Sequence, residues 1–136
     1  MSVNYSTALK TARMQLVADL IASKTVAAST GAGSAGSLVI GTSALSGATG
    51  VLVTIPLPNP PGTVSGAVLT LAGVPLSANA SATGTAAKAE FRNNAGTVVV
   101  DNTLTVGTSG TDIILNSTSI TSGQAVTVTA GTITHG

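Results

Sequence analysis

Few residues of this chain could do chemistry. The single histidine, His135, is penultimate and reads as tail; there is no cysteine, and the acids are Asp19, Glu90, Asp101 and Asp112. A nucleophile needs a base within hydrogen-bond reach, and none of the many serines stands in a G-x-S-x-G elbow. Asp101 and Asp112 could meet in neighbouring loops as a carboxylate pair, but an Asp before a strand is commonly a turn residue. Metal binding would need more acids or histidines than these. The absence of cysteine removes thiolate sites and disulfides together and leaves the redox compartment open.

Gly31, Gly33 and Gly36 spell G-x-G-x-x-G. A phosphate-cradling loop leaves a strand and opens a helix; here a helical pattern precedes the glycines and a strand pattern follows. The acid expected ~20 positions on is missing, because no Asp or Glu occurs between Asp19 and Glu90. The segment reads as a linker, and no cofactor is expected. Thr-x-Thr at Thr103, Thr127 and Thr132 is similar to ice-binding arrays, but the spacing is irregular and Thr is simply favoured in strands. Sequons at Asn4, Asn79 and Asn116 are weak matches in a chain rich in Ser and Thr. The chain is read as no enzyme, with no small-molecule substrate.

Composition removes other classes. Of 136 residues, 7% are charged and 1% aromatic, while 43% are hydrophobic. A single domain is the default at this length, and intrinsic disorder is excluded, because disordered chains combine low hydrophobicity with high charge. Lys10, Arg13, Lys24, Lys88 and Arg92 leave a net charge of +1, so no basic stripe exists to displace counterions from phosphates. With Tyr5 and Phe91 the only aromatics, base stacking has no platform, and sugar stacking has little more. Nucleic acid is therefore not an expected partner. The mean hydropathy of +0.53 comes from aliphatic residues interleaved with Thr, Ser and Gly, never from a run of ~18 apolar residues, so no membrane is expected. Lys10, Arg13, Asp19 and Lys24 also interrupt the N-terminal apolar pattern, and no signal peptide is read there.

The elements that must position these residues fall into three segments. Residues 1–24 form an amphipathic helix: Tyr5, Leu9, Ala12, Leu16 and Leu20 recur at spacings of three and four, with Lys10, Arg13 and Asp19 toward the other side. Asn4 or Ser2 is the expected N-cap. The stripe either packs on its own domain or docks on another subunit. Residues 25–37, built of Ala, Ser, Thr and Gly with a single Val and little to bury, form a linker.

Residues 38–136 carry short β-branched runs bounded by Gly, Pro, Asn and Ser. About eight strands fit, at residues 38–42, 51–57, 67–71, 86–93, 97–100, 103–106, 112–116 and 125–134. Turn chemistry predicts a hairpin at residues 93–96 and turns at Ser109-Gly110 and Ser122-Gly123. The proline-rich stretch 56–62 cannot supply a continuous ladder of amides, so it lies at an edge or crosses between sheets. Ala87, Ala89 and Phe91 form an apolar face, with Lys88, Glu90 and Arg92 opposite as a charge ladder facing solvent or an interface. The alternation of Val126, Val128 and Ala130 changes phase at Gly131, which predicts a bulge. The expected fold is mainly β: an antiparallel β-sandwich of jelly-roll type with one N-terminal helix.

With enzymatic, nucleic-acid and membrane roles lacking their residues, a structural or binding role remains. Sparse charge makes the exterior suited to shape-fitted protein contact, as in an assembly subunit. The sequence also resembles the capsid cement, or decoration, proteins of tailed bacteriophages, in particular the jelly-roll cement protein type of a Bordetella phage. The resemblance rests on Tyr5 to Met14, Leu38 to Thr42, Leu52 to Leu57, Thr83 to Ala87, Asp112 to Leu115 and Ile120 to Gln124 running on to Thr134. It covers nearly the whole chain, on fold-type patterns and not on catalytic signatures. It implies a jelly-roll protein on the outer capsid surface of the virion, a homodimer or homotrimer, clamping neighbouring major capsid protein subunits without covalent crosslinks. No catalytic residues carry over. Tyr5, Leu9, Leu16 and Leu20 are the expected interface anchors, with Lys10 and Arg13 at their polar rim. The alternative is a head- or tail-fibre module recognising a host-cell receptor; a cell-surface β-domain would need an export signal.

Overall fold

The computed structural model describes residues 6–22, 35–59 and 61–134, with backbone alone at 101–103. Within them one helix, α1 (Thr7–Ile21), precedes eleven strands. These are β1 (Ser37–Ser46), β2 (Thr49–Pro56), β3 (Gly62–Ser65), β4 (Val68–Leu71), β5 (Leu76–Asn79), β6 (Gly84–Thr85), β7 (Lys88–Arg92), β8 (Val98–Gly107), β9 (Ile113–Leu115), β10 (Ser119–Ile120) and β11 (Ala125–Thr134). The fold is mainly β, as expected. It holds more strands than the eight expected, because β3, β5, β6 and β10 are only two to four residues long and lack a readable alternation. The two strands expected at 97–100 and 103–106 are one, β8, which runs on through Asp101 and Asn102.

Nine strands share one sheet, in the order β2-β1-β7-β8-β9-β11-β4-β3, with β5 pairing β11; β10 and β6 form a separate pair. All pairings are antiparallel except a short parallel one in which Val106 and Gly107 of β8 face Ile113 and Ile114 of β9. The path begins at β2 and ends at β3, yet these strands are consecutive in the chain. Laid flat at ~4.8 Å per strand, the margins would stand about 34 Å apart, whereas the chain from Pro56 to Gly62 reaches about 22 Å at most. The sheet must therefore curl. The proline-rich stretch, expected at an edge or between sheets, joins the two margins of one sheet.

Inside the curl lies one core, including Leu38, Ile40, Ile55, Leu69, Phe91, Ile113, Val126 and Val128, all fully buried. The register explains it: Leu38 stands opposite Ile55 on one side and Phe91 on the other, and Ile40 opposite Val53 and Ala89. The hairpin at 93–96 forms as expected. The Asn93 amide donates to the Thr97 carbonyl (2.9 Å), Asn93 Oδ1 accepts from the amides of Ala95 and Thr97 (both 3.0 Å), and Gly96 takes φ 85°. The bulge expected at Gly131 falls slightly earlier, between Val128 and Ala130 in the pairing with β9.

The helix starts later than expected. Ser6, neither Asn4 nor Ser2, is the N-cap, accepting at its hydroxyl from the Leu9 amide (3.3 Å). The linker is described only from residue 35 on, and its last residue, Ser37, opens β1; residues 25–34, Gly31 and Gly33 among them, lie outside the described residues, as do Ser2, Asn4, Tyr5, Lys24 and His135.

Candidate interaction surface

Helix α1 packs against β3, β4 and β8 through Met14, Ala18 and Ile21, which belong to the core, and the Thr11 hydroxyl donates to the Gly66 carbonyl between β3 and β4. At ~100° per residue, Leu9, Arg13, Leu16 and Leu20 fall on the side away from Met14 and Ala18. The stripe read from spacing is real, but it is the outer one. Leu9 is 43% exposed, Arg13 is exposed, and Leu16, Leu20 and Lys10 are half-buried. Arg13 lies within the stripe and Lys10 toward the docked side. Asp19, expected on the polar side, is buried and accepts from Gln15 Nε2 (3.2 Å). The helix is thus attached by one face while offering another.

The charge ladder on β7 is not a solvent face. Lys88 and Arg92 are half-buried and Glu90 is buried. Arg92 Nε donates to Glu90 Oε1 (2.8 Å), Nη2 contacts the same oxygen as an ion pair, and Nη2 also reaches the Gly47 carbonyl (2.6 Å). A carboxylate with a bound guanidinium can be buried because its charge stays paired and hydrogen-bonded. The readable sign was Arg92 two positions on, hence on the same face of the strand.

Asp112 is tied to Thr105, while Asp101 sits within strand β8 and not in a loop. Asp112 is thus a corner residue between β8 and β9, as its place before a strand implied. Asn116 Oδ1 accepts from the Thr127 amide (3.2 Å), joining the end of β9 to β11. Among the described residues no group of three or more His, Cys, Asp or Glu could hold a metal ion, and no helix is long and apolar enough to cross a membrane. A shallow cleft of about 190 Å³, lined by Ala35, Gly36, Ser37, Thr54, Pro56, Asn93 and Asn94, contains no titratable side chain. Comparison with known protein families, with characterised proteins and with solved structures finds no match to this chain.

Proposed function

We propose that this chain is a structural virion protein: a capsid cement, or decoration, protein that binds the outer surface of a tailed-phage head. It clamps neighbouring major capsid subunits by non-covalent contacts and acts as a homo-oligomer. The observation that carries the reading is the sparsely charged exterior. The sequence has only four acids, and two of them, Asp19 and Glu90, are buried, so the outside is poorer in charge than the composition alone implied. Such a surface of Ser, Thr, Ala and Gly fits protein contact better than free solution.

The curled sheet is read as a variant of the jelly roll, and the outer stripe of α1, Leu9, Arg13, Leu16 and Leu20, as the anchor toward a capsid or sister subunit, with Lys10 beside it; the expected anchor Tyr5 lies outside the described residues. A protein that binds the assembled lattice better than free subunits lowers the free energy of the intact shell, and symmetry repeats weak contacts until they suffice.

The test is co-sedimentation of the purified full chain with phage heads stripped of decoration, alongside light scattering of the chain alone. Saturable binding at lattice-like stoichiometry by an oligomer is expected. A soluble monomer that associates with no head would overturn the reading, and a few copies per particle would favour the receptor module.

A further inference from the structure

Val39 is fully buried, although it is not part of the main core. Its neighbours Leu38 and Ile40 point into that core, so Val39 points to the other face of the sheet. Opposite it on β7 stands Glu90, on the same outer face and 2% exposed. An outer face of a curled sheet buries two such residues only if something covers them.

The cover is the tip of the β1–β2 hairpin. The β1–β7 register runs unbroken from Ser37 to Gly41, so Gly41 shares the outer face with Val39. A Cβ at Gly41 would stand 2.7 Å from Leu45 Cδ1 and 2.5 Å from the Gly50 carbonyl oxygen. Both atoms belong to the tip, which has therefore folded back over this face. Leu45 is the apolar plug, 1% exposed and likewise outside the main core. Arg92, paired with Ser37 and so also on the outer face, reaches across to the Gly47 carbonyl while holding Glu90.

We propose that residues 42–50 are a flap, latched by Arg92, that opens as one unit and uncovers Val39 and the Glu90 carboxylate on the outer face of β1 and β7. Three observations fit a movable unit more than a fixed loop. Ser43, Ala44 and Ser46 through Thr49 are exposed, so little apolar area fastens the tip beyond Leu45. Gly47 and Gly50 hold φ of 56° and 74°, a region glycine enters without the strain other residues meet, so both can turn as the tip moves. The β1–β2 pairing shifts register at Gly41, which separates the tip from the ladder below it. Segments with few buried contacts open at lower free energy than the sheet they rest on. The flap makes access to the outer face conditional, and it stands independently of the proposed role in a capsid.

Hydrogen–deuterium exchange on the full chain tests it. In Arg92→Ala, exchange over 42–51 should rise about tenfold or more, as expected for losing a charge-assisted hydrogen bond, with 125–134 unchanged. Arg92→Lys should fall between, because an ammonium can bond Gly47 or Glu90 but lacks the guanidinium fork that holds both. Unaltered exchange at 42–51, or an equal rise at 125–134, would overturn the proposal. If Arg92→Ala fails to fold, the wild-type chain decides. Exchange at 42–51 that is nearly independent of low urea marks local opening, and a urea slope equal to that of 125–134 marks global unfolding and removes the flap.

Discussion

Asp112 and Thr105 grip each other through side chain and backbone at once. Asp112 Oδ2 accepts from the Thr105 amide and hydroxyl (both 3.0 Å), while Thr105 Oγ1 accepts from the Asp112 amide (3.1 Å). The pair fixes the corner where β8 hands over to β9, the short parallel step in an otherwise antiparallel sheet.

Asp112→Ala should lower unfolding stability by about 1–3 kcal/mol, since hydrogen bonds to a charged group are lost. Asp112→Asn should recover part of that, because its amide oxygen can still accept. Urea denaturation midpoints at constant slope are the measurement; an unchanged midpoint in Asp112→Ala would make the grip energetically idle.

Met14→Ala should cost about 2–4 kcal/mol by leaving a cavity under the helix, whereas Leu9→Ala on the outer stripe should stay within about 0.5 kcal/mol. Equal effects in thermal unfolding would mean that the helix docks by a different face.

The spacing of apolar residues could not separate those two faces. At ~100° per residue, Leu16, Leu9, Leu20, Val17, Ile21 and Met14 follow one another around a single broad arc of about 160°, so a stripe can be traced along either edge of it. The face chosen by the fold is the one where small Ala18 and flexible Met14 fit against β3 and β4. Local chemistry was far more legible. The hairpin at Asn93 and the strand Ala125–Thr134 depend on turn residues and alternation within a few positions. Glu90 and Asp19 were misread because their burial depends on partners, Arg92 and Gln15, and on covering segments that no local pattern announces.

Two glycines separate crowding from backbone strain. A Cβ at Gly131 would run into Leu71 and lie 3.1 Å from Ile113 Cδ1, whereas at Gly96, with φ 85°, nothing lies within 4 Å. Gly131→Ala should cost about 1–3 kcal/mol through overpacking, and Gly96→Ala about 1 kcal/mol through its left-handed conformation. Calorimetry should rank them in that order.

On the outer stripe, Leu9→Asp should leave the unfolding midpoint within about 0.5 kcal/mol yet reduce self-association or head binding at least tenfold. Undiminished association in light scattering and co-sedimentation, with the fold intact, would take α1 out of the interface.

The crossing from Pro56 to Gly62 bears on how so sparsely charged a chain guards the margins of its sheet. Exposed strand edges template chain-to-chain growth, and low charge normally worsens this. Here a short tether draws both margins of the sheet toward each other, prolines occupy its path, and on the β2 margin Ser81 already engages the Leu52 carbonyl (2.8 Å). Amyloid-like stacking would first have to pull that tether open, so protection of the strand edges rests on how the chain is routed.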